Sequence, residues 1–202
     1  MKNFYLSSSI AIAMMLATSV VHAEKTANVT VSAKANGNFS GLSTTAIPLV
    51  AAIEVTEAGI INVSASGTWN FGVNFPSGPG GVTWNQQGNG ISPLMGAAGL
   101  GFGAPGGGYT PIGALIGAFI PRSTAKQPGF KANIAYNGYY SSNGNLNGEL
   151  AFSVGIPAAS IFYIGAESYV TVNGPGTLYL GINDEGVDDN SGDVQVKLTS
   201  YP

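Results

Sequence analysis

Apolar and polar residues alternate with a period of two over several short stretches of this chain. Ile61, Val63 and Ala65 share one face of such a stretch, and Asn62, Ser64 and Ser66 the other. That is the pattern of a strand with one face buried. Thr26–Ala33 alternates in the same way. Leu49–Val55 is more continuously apolar, and Pro48 just before it marks where a strand can start. Pro111–Ile120 (PIGALIGAFI) mixes apolar and small residues without a break and predicts a buried strand. Ile161–Val172 predicts one or two more. Near the C-terminus Leu178, Leu180 and Ile182 share a face, as do Val194, Val196 and Leu198. The polar stretch 183–193 between them predicts a hairpin with a long connection. About eight strands without helices and without an internal repeat point to an all-β chain, folded as a β-sandwich.

Two stretches break the alternation. Residues 67–108 are rich in Gly, Asn and Pro and carry Trp69, Phe71, Phe75, Trp84 and Phe102. A long loop is either functional or disordered, and aromatics at this density argue for order. Tyr136–Glu149 (YNGYYSSNGNLNGE) predicts an exposed hairpin or loop. The first 23 residues read as a secretory leader. Lys2 supplies the positive end, Ile10–Val21 the apolar stretch, and Val21-His22-Ala23 the small-residue cleavage site. Cleavage there leaves a single domain, Glu24–Pro202, secreted or periplasmic, with no apolar run long enough for an integral membrane segment.

Composition narrows the chemistry. The chain holds 30 glycines, 7 Lys+Arg against 10 Asp+Glu, no cysteine and one histidine. That histidine is His22, inside the leader. Ser-His-Asp and Cys-His catalysis are thereby excluded from the mature chain, as are the usual zinc and copper ligand sets. Any metal site must be built from oxygen, which selects calcium or magnesium. No basic run exists to bind nucleic acid.

Against this charge-poor background, residues 183–193 read NDEGVDDNSGD and hold five of the ten acidic side chains: Asp184, Glu185, Asp188, Asp189 and Asp193. Carboxylates crowded into one turn repel each other, and a Ca²⁺ ion, accepting 6–8 oxygens at variable geometry, removes that repulsion. Gly186 and Gly192 permit the sharp turns required. The spacing is not that of an EF-hand, since the twelfth residue from Asp184 is Gln195. The same residue types also build ordinary solvated turns.

The segment GTLYLGINDEGVDDNSGDVQVKL (Gly176–Leu198) resembles the C-terminal hairpin of the bacterial galactophilic lectins of the lectin A family. IGALIGAFI (Ile112–Ile120), FYIGAES (Phe162–Ser168) and ASGTWNFG (Ala65–Gly72) resemble three further family segments, in the same order. The resemblance implies a jelly-roll-like β-sandwich of the galactose-binding-domain kind that holds one Ca²⁺, with the ion ligating sugar hydroxyls directly. It implies Asp184 as a bidentate carboxylate, Asp189 and Asn190 as side-chain oxygens, and backbone carbonyls from Phe71 and from Gly186 or Val187. Three departures stand out. The stretch from Asp184 to Asn190 is two residues shorter than in the family. The His-Pro and Gln that contact galactose have no counterpart in GNGISPLMG (Gly88–Gly96). Arg122–Ala159 is longer than the family needs.

The sequence therefore points to an exported, calcium-dependent carbohydrate-binding protein, not an enzyme, whose partner is a carbohydrate or glycoconjugate. Asp184 and Asn190 would meet the sugar through the ion. Trp84 would be either a stacking platform for a sugar ring or part of the loop's own packing, whereas Trp69, just after an alternating strand, is expected in the core. The alternative reading is a structural or adhesive surface protein in which calcium only pins the final hairpin. A hydrolase would need a carboxylate pair such as Glu149 and Glu167 at a spacing of about 5–10 Å. A monomer and a homo-oligomer are equally open.

Overall fold

The computed structural model describes residues 23–37, 48–72, 74–82, 111–135, 155–157, 160–184 and 187–202. Among them lie twelve strands and one short helix. The strands are β1 (Lys25–Ser32), β2 (Val50–Val55), β3 (Gly59–Asn70), β4 (Pro76–Ser77), β5 (Gly80–Val82), β6 (Ile112–Pro121), β7 (Ile134–Ala135), β8 (Ile156–Pro157), β9 (Ile161–Tyr163), β10 (Glu167–Val172), β11 (Gly176–Ile182) and β12 (Ser191–Tyr201). The helix, α1, is a single turn over Arg122–Ala125, a small departure from the all-strand expectation. No helix among the described residues is long and apolar enough to cross a membrane.

The long strands form two antiparallel sheets. The first runs β1-β12-β3-β10, with β4 also on β3; the second runs β2-β11-β6-β5, with β9 also on β6. Strands β7 and β8 form a small parallel pair. Between the sheets lies one apolar core. Val31, Ile61, Val63, Trp69, Val194, Val196 and Leu198 enter it from the first sheet, and Ile53, Leu115, Leu178, Leu180 and Ile182 from the second. The protein is thus an all-β sandwich. Its first sheet keeps a polar outer face, which is why β3 and β12 alternate so cleanly.

The central strands of the second sheet, β6 and β11, are buried on both faces. Ile116, Ala118, Ile120 and Tyr179 point away from the main core into a second cluster with Leu49, Ile156 and Ile161. Ala125, Phe130 and Ala132, from the chain following β6, cover that cluster. A strand covered on both sides loses the period-two signal, which explains the unbroken apolar run of β6. The start of the long 122–159 insertion is therefore a lid for the outer face of this sheet. The stretch 136–149, expected as an exposed hairpin or loop, lies outside the described residues.

One expectation is corrected. Strands β11 and β12 do not form a hairpin. β11 pairs with β2 and β6 in the second sheet, while β12 pairs with β1 and β3 in the first. Residues 183–190 are a crossover from one sheet to the other. Successive strands β1, β2 and β3 switch sheets in the same way, as do β9, β10, β11 and β12, in keeping with the jelly-roll-like sandwich expected. Alternation records which face of a strand is buried. Both β11 and β12 bury a face in the shared core, so the pattern reads the same whether they are neighbours or opposite one another.

Candidate functional site

The crossover that carries the acidic residues is fixed at several points. Where β11 ends, the Asn183 N–H donates to Ala114 O at 2.8 Å and Asn183 O accepts from the Gly113 N–H at 2.8 Å. The Asn183 side chain donates from Nδ2 to Pro111 O at 3.0 Å. In mid-crossover Val187 is buried and belongs to the main core. Its carbonyl accepts from the Asn190 N–H at 3.2 Å, closing a turn. At the far end Asn190 Nδ2 donates to Ala33 O at 3.1 Å, and Gly192 O accepts from the Ala33 N–H at 3.1 Å. One end of the crossover is therefore tied to β6 in the second sheet, and the other to the turn after β1 in the first.

The aromatic segment closes over the same end of the sandwich. Trp69 is fully buried, as expected of a core residue, and its Nε1–H donates to Gly113 O at 2.8 Å. The antiparallel register pairs Ser191 with Asn70, and Asn70 Nδ2 donates to Ser191 Oγ at 3.3 Å. Extending that register by one residue sets Asn190 across from Phe71. The Phe71 ring is buried, stacks on Phe75 with centroids 5.9 Å apart, and lies over Gly113. Gly113 has a φ of +70°, and a Cβ there would come within 2.6 Å of the Phe71 ring. Only glycine suits both the backbone and the contact. The left-handed residue also lets Ile112 and Leu115, an odd number of positions apart, both reach the main core.

Four expected ligands thus lie at one end of the molecule. Asp184 is buried directly after the anchored Asn183. Asn190 is buried, with its amide oriented by the bond to Ala33. Asp189 is exposed, and its Oδ2 lies 3.4 Å from where a Cβ on Gly72 would stand, which puts this carboxylate beside the Phe71–Gly72 turn. Of the two alternative loop carbonyls, that of Val187 already accepts the Asn190 N–H, leaving one lone pair. Gly186 and Glu185 lie outside the described residues, as do Trp84, the segment 88–96 and Glu149. Glu167 is exposed on β10. Asp193 is exposed on β12, away from the crossover.

The chemistry of this donor set can be tested on one atom. Asn190 Oδ1 is buried and accepts no hydrogen bond from the described residues. An unpaired buried acceptor costs about 1–3 kcal/mol, and an oxygen-binding cation is one group that would satisfy it. Among the described residues no group of three or more His, Cys, Asp or Glu could hold a metal by itself. An ion here would rest on two carboxylates, Asp184 and Asp189, completed by the Asn190 amide and backbone carbonyls. That is a set suited to calcium, which accepts neutral and charged oxygens alike.

Sequence reading did not show what positions these ligands: the anchoring of Asn183, the Ala33 carbonyl, the buried Val187 side chain and Gly113. The only signal for them was the glycine in IGALIGAFI and a lone valine in an otherwise polar loop.

No protein-family model matches the chain, and no curated protein matches it. Among solved structures, the chain is similar to the N-terminal domain of EclA, a PllA-like lectin. The identity is 16%, covering 87% of this chain and 96% of that one, with a TM-score of 0.41.

Proposed function

We propose that this chain is an exported carbohydrate-binding protein whose sugar site is organised by a calcium ion held at the inter-sheet crossover. The observation that carries this reading is the bare acceptor of Asn190. It is buried, held in orientation by Ala33, and next in the chain to Ser191, whose register partner Asn70 precedes Phe71. Asp184, Asp189, Asn190 and the Phe71 carbonyl would hold the ion, with a crossover carbonyl as a further ligand. When bound, calcium supplies positive charge to which two adjacent sugar hydroxyls can coordinate. The chain's own part is to keep those oxygens converged and to exclude other ions by their number and spacing. No catalytic step is involved.

The resemblance of Gly176–Leu198 to the galactophilic lectins supports the assignment of ligands. It does not extend to the sugar, because the galactose contacts have no counterpart in this sequence. A second reading is favoured by the anchoring of the crossover to both sheets. An ion there would tie the two layers together even without a sugar, as in a structural or adhesive surface protein.

Calorimetric titration of Ca²⁺ into chelator-stripped protein tests the metal. Saturable heat is expected, with stabilisation of about 2.7 kcal/mol at a calcium concentration 100 times Kd. Absence of heat together with an unchanged Tm overturns it. A glycan array read with and without calcium then separates the two readings. Calcium-dependent signal supports the lectin, and silence with calcium bound supports the structural ion.

A further inference from the structure

A second candidate site lies at the other end of the sandwich. Strand β11 runs from Gly176 to Ile182, where the acidic crossover begins, and β6 runs antiparallel to it. The end of β6, the helix α1 and the turn 173–175 between β10 and β11 enclose an open cavity of about 660 Å³. It stands about 20 Å from the crossover, the length of β11 at about 3.3 Å per residue.

Its lining has an unusual charge. Arg122 and Lys126 both line it, with no acidic residue among the described lining; Glu54 pairs with Arg122 from beside it, so Lys126 carries the uncompensated charge. The whole chain has only 7 basic residues against 10 acidic ones, so two cations on one cavity run against the composition. Arg122 is held in place by Glu54, with Nη2 donating at 2.7 Å, and its backbone N–H donates to Pro175 O at 3.0 Å. Its Nε is buried, without a hydrogen-bond partner among the described residues, and out of reach of the cavity. Phe119 and Pro175 supply apolar surface, while Thr171 and Asn173 supply hydroxyl and amide groups at the rim.

From these features we infer that the cavity binds a carboxylated sugar, a uronic acid unit or a short saccharide that contains one. The carboxylate would sit against Lys126 and the Arg122 guanidinium, in charge-assisted hydrogen bonds. The apolar face of the ring would lie on Phe119 and Pro175, and its hydroxyls would meet Thr171 and Asn173. A cleft of this volume has room for one sugar ring, held on one side and open to solvent on the other. This inference does not rest on the calcium site, since Glu54, the carboxylate next to this lining, is already paired with Arg122.

Galacturonic acid, methyl galactoside and acetate, each titrated into the protein in EDTA and followed by two-dimensional amide NMR, form the test. With divalent ions removed, the result is separate from that of the crossover. Galacturonate is expected to shift the amides of Lys126, Asn173 and Gly174 and to bind at least about tenfold more tightly than either of the other two probes. The surface substitution Lys126→Glu is expected to weaken galacturonate at least about tenfold without lowering Tm. Equal affinity for methyl galactoside, equal affinity for acetate, or no effect of Lys126→Glu would each overturn the assignment.

Discussion

Asn190 donates through one end of its amide and leaves the other end bare. The two ends have separate consequences. Asn190→Ala removes the donor to the Ala33 carbonyl together with the unpaired acceptor, so the two effects offset and the ion-free protein is expected to change by no more than about 1 kcal/mol by urea denaturation. It is also expected to abolish the rise in Tm on adding calcium. A variant that keeps the calcium response would remove Asn190 from the ligand set. Tyr179 offers a second measurement at this scale. Burial raises its pKa above the ordinary 10.0, a hydrogen bond from the Thr177 side chain lowers it, and the Glu54 charge raises it again. The folded state thus holds this proton more tightly than the unfolded chain. Stability should be flat with respect to Tyr179 below pH 10 and fall as the pH climbs from there through the folded pKa. Tyr179→Phe should remove that part of the alkaline loss. An alkaline unfolding profile unchanged in Tyr179→Phe would show that other groups dominate. Single residues were the most legible level of the sequence: the acidic side chains stood out against a charge-poor chain, and Trp69 lay where its strand parity put it. What holds Asn190 was not legible, because a backbone carbonyl such as that of Ala33 has no identity in a sequence.

At the scale of elements, the crossover is the part that the alternation misread. Both of its flanking strands were found, yet they belong to opposite sheets, and β12 already begins at Ser191, inside the expected connection 183–193. The difference matters for the site, since a hairpin loop is pinned by one pair of strands and this crossover by both layers. Val187 is the pin in the middle. Val187→Ala is expected to lower stability by about 1–3 kcal/mol, through lost burial and the cavity left behind. Calcium affinity should fall with it, because a loosened crossover must be ordered when the ion binds. Parallel urea and calcium titrations of this variant check both. A stability loss with unaltered calcium affinity would show that Val187 serves the core alone.

For the whole molecule, the expectation of a sandwich held, but the single buried face it implies holds for only one of the two sheets. The outer face of the second sheet is covered by chain that sequence reading treated as surplus to the family pattern. Nothing in ALIGAFI says that its two faces meet different partners; an unbroken apolar run only says that both are dry. The outer cluster should therefore carry weight comparable to the inner one. Ile116→Ala on the outer face and Leu180→Ala on the inner face are each expected to cost about 2–5 kcal/mol. Equilibrium urea unfolding of the two variants measures this, and a near-neutral Ile116→Ala would mean that the covering segment packs only loosely.

The pairing of β1 with β12 has a mechanical consequence. Lys25 lies opposite Ser200 and Ser32 opposite Asp193, so the outer ends of these two strands sit side by side. A pulling force applied through them loads the ladder one rung at a time, beginning at Lys25 and Ser200. The two strands would peel apart like a zipper, and the rungs beside Asn190 would be the last to feel the load. Pulled through Lys25 and Ser200, the pair would give way first at the end remote from the crossover, leaving the geometry around Asn190 intact until β1 is almost gone.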